Sequence, residues 1–222
     1  MNNLLLVIEI VTLFTMLLLS LKLFGKNGLF AWVALAAVLA NVVQGKNAVI
    51  LGLYAGIGHV LFSSNFLATD ILNECYTQED AKKAVKIGLY ANILYIIVMI
   101  IALRYRPSEI DTMAQPMAQM FGLNIRIALS SMFWYLISNL GDVWLYNKLK
   151  IMTNGKYMWL RNNVATILFN CLENFGFAFF AFGGIYGASQ ILSIAIASTA
   201  VEIVVGICDT PFLYIAKRIC RE

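Results

Sequence analysis

The sequence predicts an all-α fold, a polytopic bundle of membrane-spanning helices. Hydrophobic residues make up 61% of it and charged residues 13%, with a mean hydropathy of +0.79, too little polar surface to face water. The apolar residues also fall in runs long enough to cross a bilayer, and only helices and closed barrels satisfy their backbone polar groups there. The length of 222 residues accommodates about seven spans of roughly 20 residues and no separate soluble catalytic domain.

The runs cover residues 4–24, 28–44, 55–75, 84–103, 123–146, 158–182 and 186–216. The first lacks a preceding basic region and a small-residue cleavage site, so it reads as a retained helix rather than a signal peptide. Residues 48–54 are apolar but too short to span; with Gly56 and Gly58 behind them they read as either a re-entrant segment or an extended turn. Residues 77–86 read as a short helical turn, with Thr77 as cap, acids first and lysines later. The long loop, residues 104–122, carries Pro107 and Pro116. An outside N-terminus and a cytoplasmic C-terminus in the cell's inner membrane retain all but Lys46, Arg104, Arg106 and Arg126 of the 16 basic residues on the cytoplasmic side.

Several chemistries lack their parts. Cys75, Cys171, Cys208 and Cys220 form no Cys-x-x-Cys pair and His59 is the only histidine, so a metal site and a disulfide scaffold are not expected and the cysteines read as free thiols. There is no phosphate-binding loop, His-Glu-x-x-His or Gly-x-Ser-x-Gly motif, so neither an enzyme nor a cofactor is expected. The net charge of +4 comes from scattered residues rather than a basic face, which excludes a nucleic-acid partner.

Candidate site residues are the carboxylates and amides within the apolar runs, because a charge near the bilayer centre costs about 2.5 to 3.5 kcal/mol. Asp70, Glu74 and Asp209 lie toward the inner ends, where snorkelling or pairing with a base is an equal alternative. Glu173 and Glu202 stand mid-span with no basic residue in a span interior to offset them, so a proton or a cationic ligand has to. Asn139-x-x-Asp142 and Asn170-x-x-Glu173 repeat one device, an amide and an acid on one helical face. An amide that donates and accepts beside an acceptor carboxylate fits the edge of a guanine-like base, though such residues also glue helices together. Trp32, Trp144 and Trp159 sit near helix ends as an interfacial belt, and Phe133 and Trp134 sit deeper, where packing is the simpler role.

Phe66-Leu67-Ala68-Thr69-Asp70-Ile71-Leu72-Asn73-Glu74, Arg126-Ile127 with Ser131 and Asp142, Arg161-Asn162-Asn163, and Asp209-Thr210-Pro211 with Tyr214 carry a resemblance to the queuosine precursor (vitamin uptake) transporter family. The likeness spans about residues 28–218. It implies a six-helix core similar to the S-components of vitamin importers, residues 28–222, preceded by an extra helix in residues 1–27. It further implies a carrier for 7-deazapurine precursors of queuosine, such as 7-cyano- or 7-aminomethyl-7-deazaguanine or queuine. On that reading Asn139, Asp142, Asn170 and Glu173 line a central site, joined by Glu202, with Asp70, Glu74 and Asp209 nearer the inner gate. The partners are then a small 7-deazapurine and the lipid bilayer, with a homodimer compatible. The sequence departs from the family pattern in having Asn139 and Asn170 where glutamine is usual and Glu202 where lysine is usual. Two rivals stay open, a binding subunit of an ATP-driven importer and a membrane enzyme acting on a lipid.

Overall fold

The structure, a computed structural model, describes residues 1–122 and 125–221. Leu123 and Asn124, which open the fifth predicted run, and the terminal Glu222 lie outside the described residues. The described chain runs α1 (Asn2–Gln44), β1 (Asn47–Ile50), β2 (Leu53–Gly56), α2 (His59–Cys75), α3 (Gln78–Ala102), α4 (Ala114–Phe121), α5 (Ile125–Met152), α6 (Met158–Phe182) and α7 (Ala188–Ile219).

A straight helix of 43 residues would be about 65 Å long. Yet Asn2 Nδ2 donates to Val49 O at 2.9 Å and Leu51 N donates to Asn3 Oδ1 at 3.0 Å, on the hairpin that begins just after Gln44. The helix therefore doubles back. It does so at Gly25, whose φ of 56° and ψ of −137° suit a residue without Cβ. Residues 2–24 and 26–44 are thus two antiparallel helical segments, matching the first two predicted runs.

The hairpin settles the ambiguity at residues 48–54 in favour of an extended turn. Ala48 pairs with Ala55 and Ile50 with Leu53, and the two linking residues, Leu51 and Gly52, both have positive φ, as tight primed turns require. The predicted helical turn at 77–86 is not separate but begins α3, because Thr77 Oγ1 accepts from Asp80 N at 3.0 Å and starts a helix with no break after it. The long loop holds the exposed α4, with Pro116 in its first turn, where no backbone donor is needed.

By length and hydropathy α1, α3, α6 and α7 qualify as membrane spans, and α4 with α5 counts as a fifth. Their outward residues, among them Val7, Ile97, Ile101, Leu168, Phe180, Ile207 and Ile215, are exposed, as lipid-facing side chains are. Helix α2 is different. It has 17 residues, and all but Phe62, Glu74 and Cys75 are buried, including Ser63, Ser64, Asn65, Thr69, Asp70 and Asn73. Packed against α1, α3, α5 and α7, it carries its polar groups where lipid does not reach.

Helices α5 and α6 approach closely through two glycines. A Cβ on Gly141 would collide with the Phe169 ring, and one on Gly176 with the Trp134 indole. Trp134 thus packs, with Phe180 edge-on at 5.6 Å. Cys75 and Cys220, expected as free thiols, are joined in a disulfide with Cα atoms 6.0 Å apart; Cys171 and Cys208 are free. The fold brings the ends of α2 and α7 together across 145 residues of sequence, a proximity that spacing could not reveal.

Candidate substrate site

Polar side chains form successive layers through the bundle. The first lies where α2, α5 and α7 end and α6 begins. Glu74 accepts from Arg161 Nη2 and from Lys217 Nζ, both at 2.5 Å, with Lys150 Nζ 3.4 Å away. Arg161 has no solvent exposure, and its other contacts are Lys156 O at 2.9 Å and the face of Tyr146 at 5.3 Å. One acid therefore ties four helices.

The second layer is acidic. Asp70 of α2, Asp142 of α5 and Asp209 of α7 are all fully buried and lie within electrostatic range of one another. Asn162 Nδ2 donates to Asp209 at 2.6 Å, and Thr166 Oγ1 donates to Asp142 at 3.4 Å. The Asp70 and Asp142 carboxyls meet each other at hydrogen-bonding range, and beyond that contact neither oxygen of Asp70, nor Oδ2 of Asp142, nor Oδ2 of Asp209 has a partner among the described residues.

Along α5 and α6 toward the hairpin end come the amides. Asn139 spends its Nδ2 on Tyr135 O at 2.9 Å, and among the described residues its Oδ1 and both amide atoms of Asn170 and, on α2, Asn65 are buried without partners. A buried amide without hydrogen bonds costs roughly 1 to 3 kcal/mol, so a cluster of them is a stability sacrifice that a polar ligand would repay.

The last layer holds the remaining acids. Ser138 Oγ donates to Glu173 Oε2 at 2.5 Å. Glu202 Oε1 is 2.8 Å from His59 Nδ1, and its Oε2 accepts from Asn174 Nδ2 at 2.6 Å. Glu173 and Glu202 are within electrostatic range of each other.

The structure thus gathers the predicted residues but divides them differently. The two Asn-x-x-acid devices separate their acids, Asp142 joining Asp70 and Asp209 while Glu173 joins Glu202; three residues on antiparallel helices carry them in opposite directions along the bundle. Glu74 stands apart in the basic layer. The expectation of an interior without a base beside its acids is corrected twice, by the Arg161 guanidinium against Glu74 and by the His59 imidazole against Glu202. Both escaped because a base near a helix end in sequence can lie inside the bundle in space. For Arg161 the signal was its place in Arg161-Asn162-Asn163; His59 carried only the spacing of His59, Ser63 and Asp70 along one helical face.

Membrane-length helices closed around buried acids and amides make an integral membrane protein with a polar interior. Residues 56–216 match the family described as "Putative vitamin uptake transporter", and the chain belongs to that family. It is 34% identical over 206 residues, 92% of its own length and 90% of the relative's, to a protein of Bacillus subtilis (strain 168) described as "Probable queuosine precursor transporter". No solved structure matches it.

Proposed function

We propose that the chain is a membrane carrier that brings a 7-deazapurine precursor of queuosine into the cytoplasm. The observation that carries this is the set of buried polar groups on α2, α5, α6 and α7: Asp70 and Asp142, which meet each other, and Asp209 offer carboxyl oxygens, and Asn65, Asn139 and Asn170 offer amide atoms without partners among the described residues. A guanine-like edge presents ring N–H and amino donors next to a carbonyl acceptor, which such a set complements. The relative's description supplies the substrate class. In this reading Asn139, Asp142, Asn170 and Glu173, with Asp70 and Asp209, line the site. Glu74 and its bases form the gate at the cytoplasmic end, and Glu202, already bonded on both oxygens, supports the site from the far side.

Counted as a carrier, α1 contributes two spans and α2 a central one, which with α3, α5, α6 and α7 gives seven. Residues 1–27 are then the extra helix and the remaining six helices the transport core. The distribution of basic residues supports an outside N-terminus and a cytoplasmic C-terminus.

The test is a thermal-shift panel on the purified full chain with 7-cyano- and 7-aminomethyl-7-deazaguanine, queuine and guanine, followed by uptake into liposomes that contain this chain alone. A ligand at 100 times its Kd adds about 2.7 kcal/mol of apparent stability. The reading stands if a 7-deazapurine raises the Tm and enters the vesicles; binding without entry would make the chain a capture subunit, and no binding would remove the substrate class.

A further inference from the structure

His59 opens α2 at 2% exposure, and its Nδ1 lies against Glu202 of α7, itself 6% exposed. With Asn174 on the other oxygen, both Glu202 oxygens are occupied. Taking Glu202 as a carboxylate assigns a hydrogen to Nδ1. The other ring nitrogen, Nε2, is buried with no partner among the described residues. Imidazole is the side chain that ordinarily changes charge near neutral pH, and nothing in the binding of a 7-deazapurine as assigned above uses it.

From this buried pair we propose that uptake is coupled to a proton carried on His59 Nε2. The inference rests on the carrier reading. The loaded pair, imidazolium beside carboxylate, is neutral overall; the unloaded pair, imidazole beside carboxylate, leaves one negative charge in the apolar interior. Net charge is costly to hold in a dry interior, so a site closed over substrate holds the loaded pair, whereas an empty site filled by water tolerates the unloaded one. Substrate and proton leave on the cytoplasmic side, the empty hydrated site returns unloaded, and the pair is re-protonated from outside. Glu9 on the first segment of α1, partly exposed and within electrostatic range of His59, offers the approach from the outer end. The other titratable groups around the pair are Glu173 on α6, in range of Glu202, and Tyr135 on α5, in range of Glu173.

Two measurements on the full chain test this. In liposomes, labelled 7-cyano-7-deazaguanine uptake is followed with the outside about two pH units more acid than the inside, with and without a protonophore. One proton per substrate allows about tenfold accumulation per pH unit, so about 100-fold, collapsing with the protonophore. His59→Gln should lose the accumulation. Because the chain has one histidine, nitrogen-15 labelling gives a single imidazole to follow by NMR. Its nitrogen signals should report the gain of a proton when 7-cyano-7-deazaguanine binds, a response that Glu202→Gln should remove, and this readout survives even if His59→Gln fails to fold. Exchange that proceeds in the parent but ignores the gradient, accumulation retained in His59→Gln, or imidazole signals that ignore the bound substrate overturns the coupling alone. A parent that neither binds nor exchanges any 7-deazapurine removes the carrier reading and the coupling with it.

Discussion

Arg161, without solvent exposure, donates to Glu74 at 2.5 Å and so joins the start of α6 to the end of α2. The fork of a guanidinium reaches Glu74 and Lys156 O together, which a lysine cannot do. Removing one partner of a buried pair costs about 3 to 5 kcal/mol, and Lys150 and Lys217, both partly exposed, remain to hold Glu74. Arg161→Met should therefore lose about 3 kcal/mol, and Arg161→Lys should not restore it. Thermal unfolding of the detergent-solubilised variants measures both, and an Arg161→Lys protein as stable as the parent would contradict the argument.

Asp142→Asn separates binding from folding. The new amide keeps an oxygen toward Thr166 and takes an acid out of the Asp70, Asp142 and Asp209 layer, so the Tm should hold or rise. Losing a buried hydrogen bond to ligand costs roughly 1 to 3 kcal/mol, so affinity for a 7-deazapurine should fall about fivefold or more. Calorimetric titration reads the affinity, and parental affinity in this variant would place the ligand elsewhere.

Gly176 gives a purely steric prediction. The Trp134 indole occupies the space a side chain would need, so Gly176→Val must push α5 from α6 or break the packing of Trp134 with Phe180. Overpacking of this kind costs typically 1 to 3 kcal/mol. The companion change Trp134→Ala should recover part of the loss in a double-mutant comparison of Tm; additive losses would mean that the two residues do not share the space.

Orientation is tested at the two ends of α3. Glu79, at 80% side-chain exposure, marks the end assigned to the cytoplasm, and the exposed Ser108 follows the other end. In a chain whose native cysteines are replaced by serine, Ser108→Cys should react with an impermeant maleimide on intact cells and Glu79→Cys only after permeabilisation. The native pair gives an independent check, because a cytoplasmic Cys75 and Cys220 would be kept as thiols in the cell and close to the disulfide after purification in air. Alkylation in living cells followed by mass spectrometry should find both modified; a pair already blocked there would reverse the topology.

Sequence by itself determined the helical membrane fold and most of the polar residues of its interior. That follows from solvent: a lipid-facing helix must be apolar along its length, so each buried acid or amide stands out against its run, as Asp142, Asn170 and Glu202 do. It also determined the cap at Thr77, because a cap is chosen within a few neighbouring residues. What the tertiary structure decided was pairing. Gly25 reverses α1 through a backbone angle that a hydropathy run does not record, and the central place of α2 depends on which helices surround it. Arg161 with Glu74, His59 with Glu202 and Cys75 with Cys220 join residues 87, 143 and 145 positions apart. Helical periodicity relates residues within one element; which element's charge meets another's is set by how the helices pack, and that turned a presumed surplus of interior acids into matched pairs at both ends of the bundle with the unpaired groups between them.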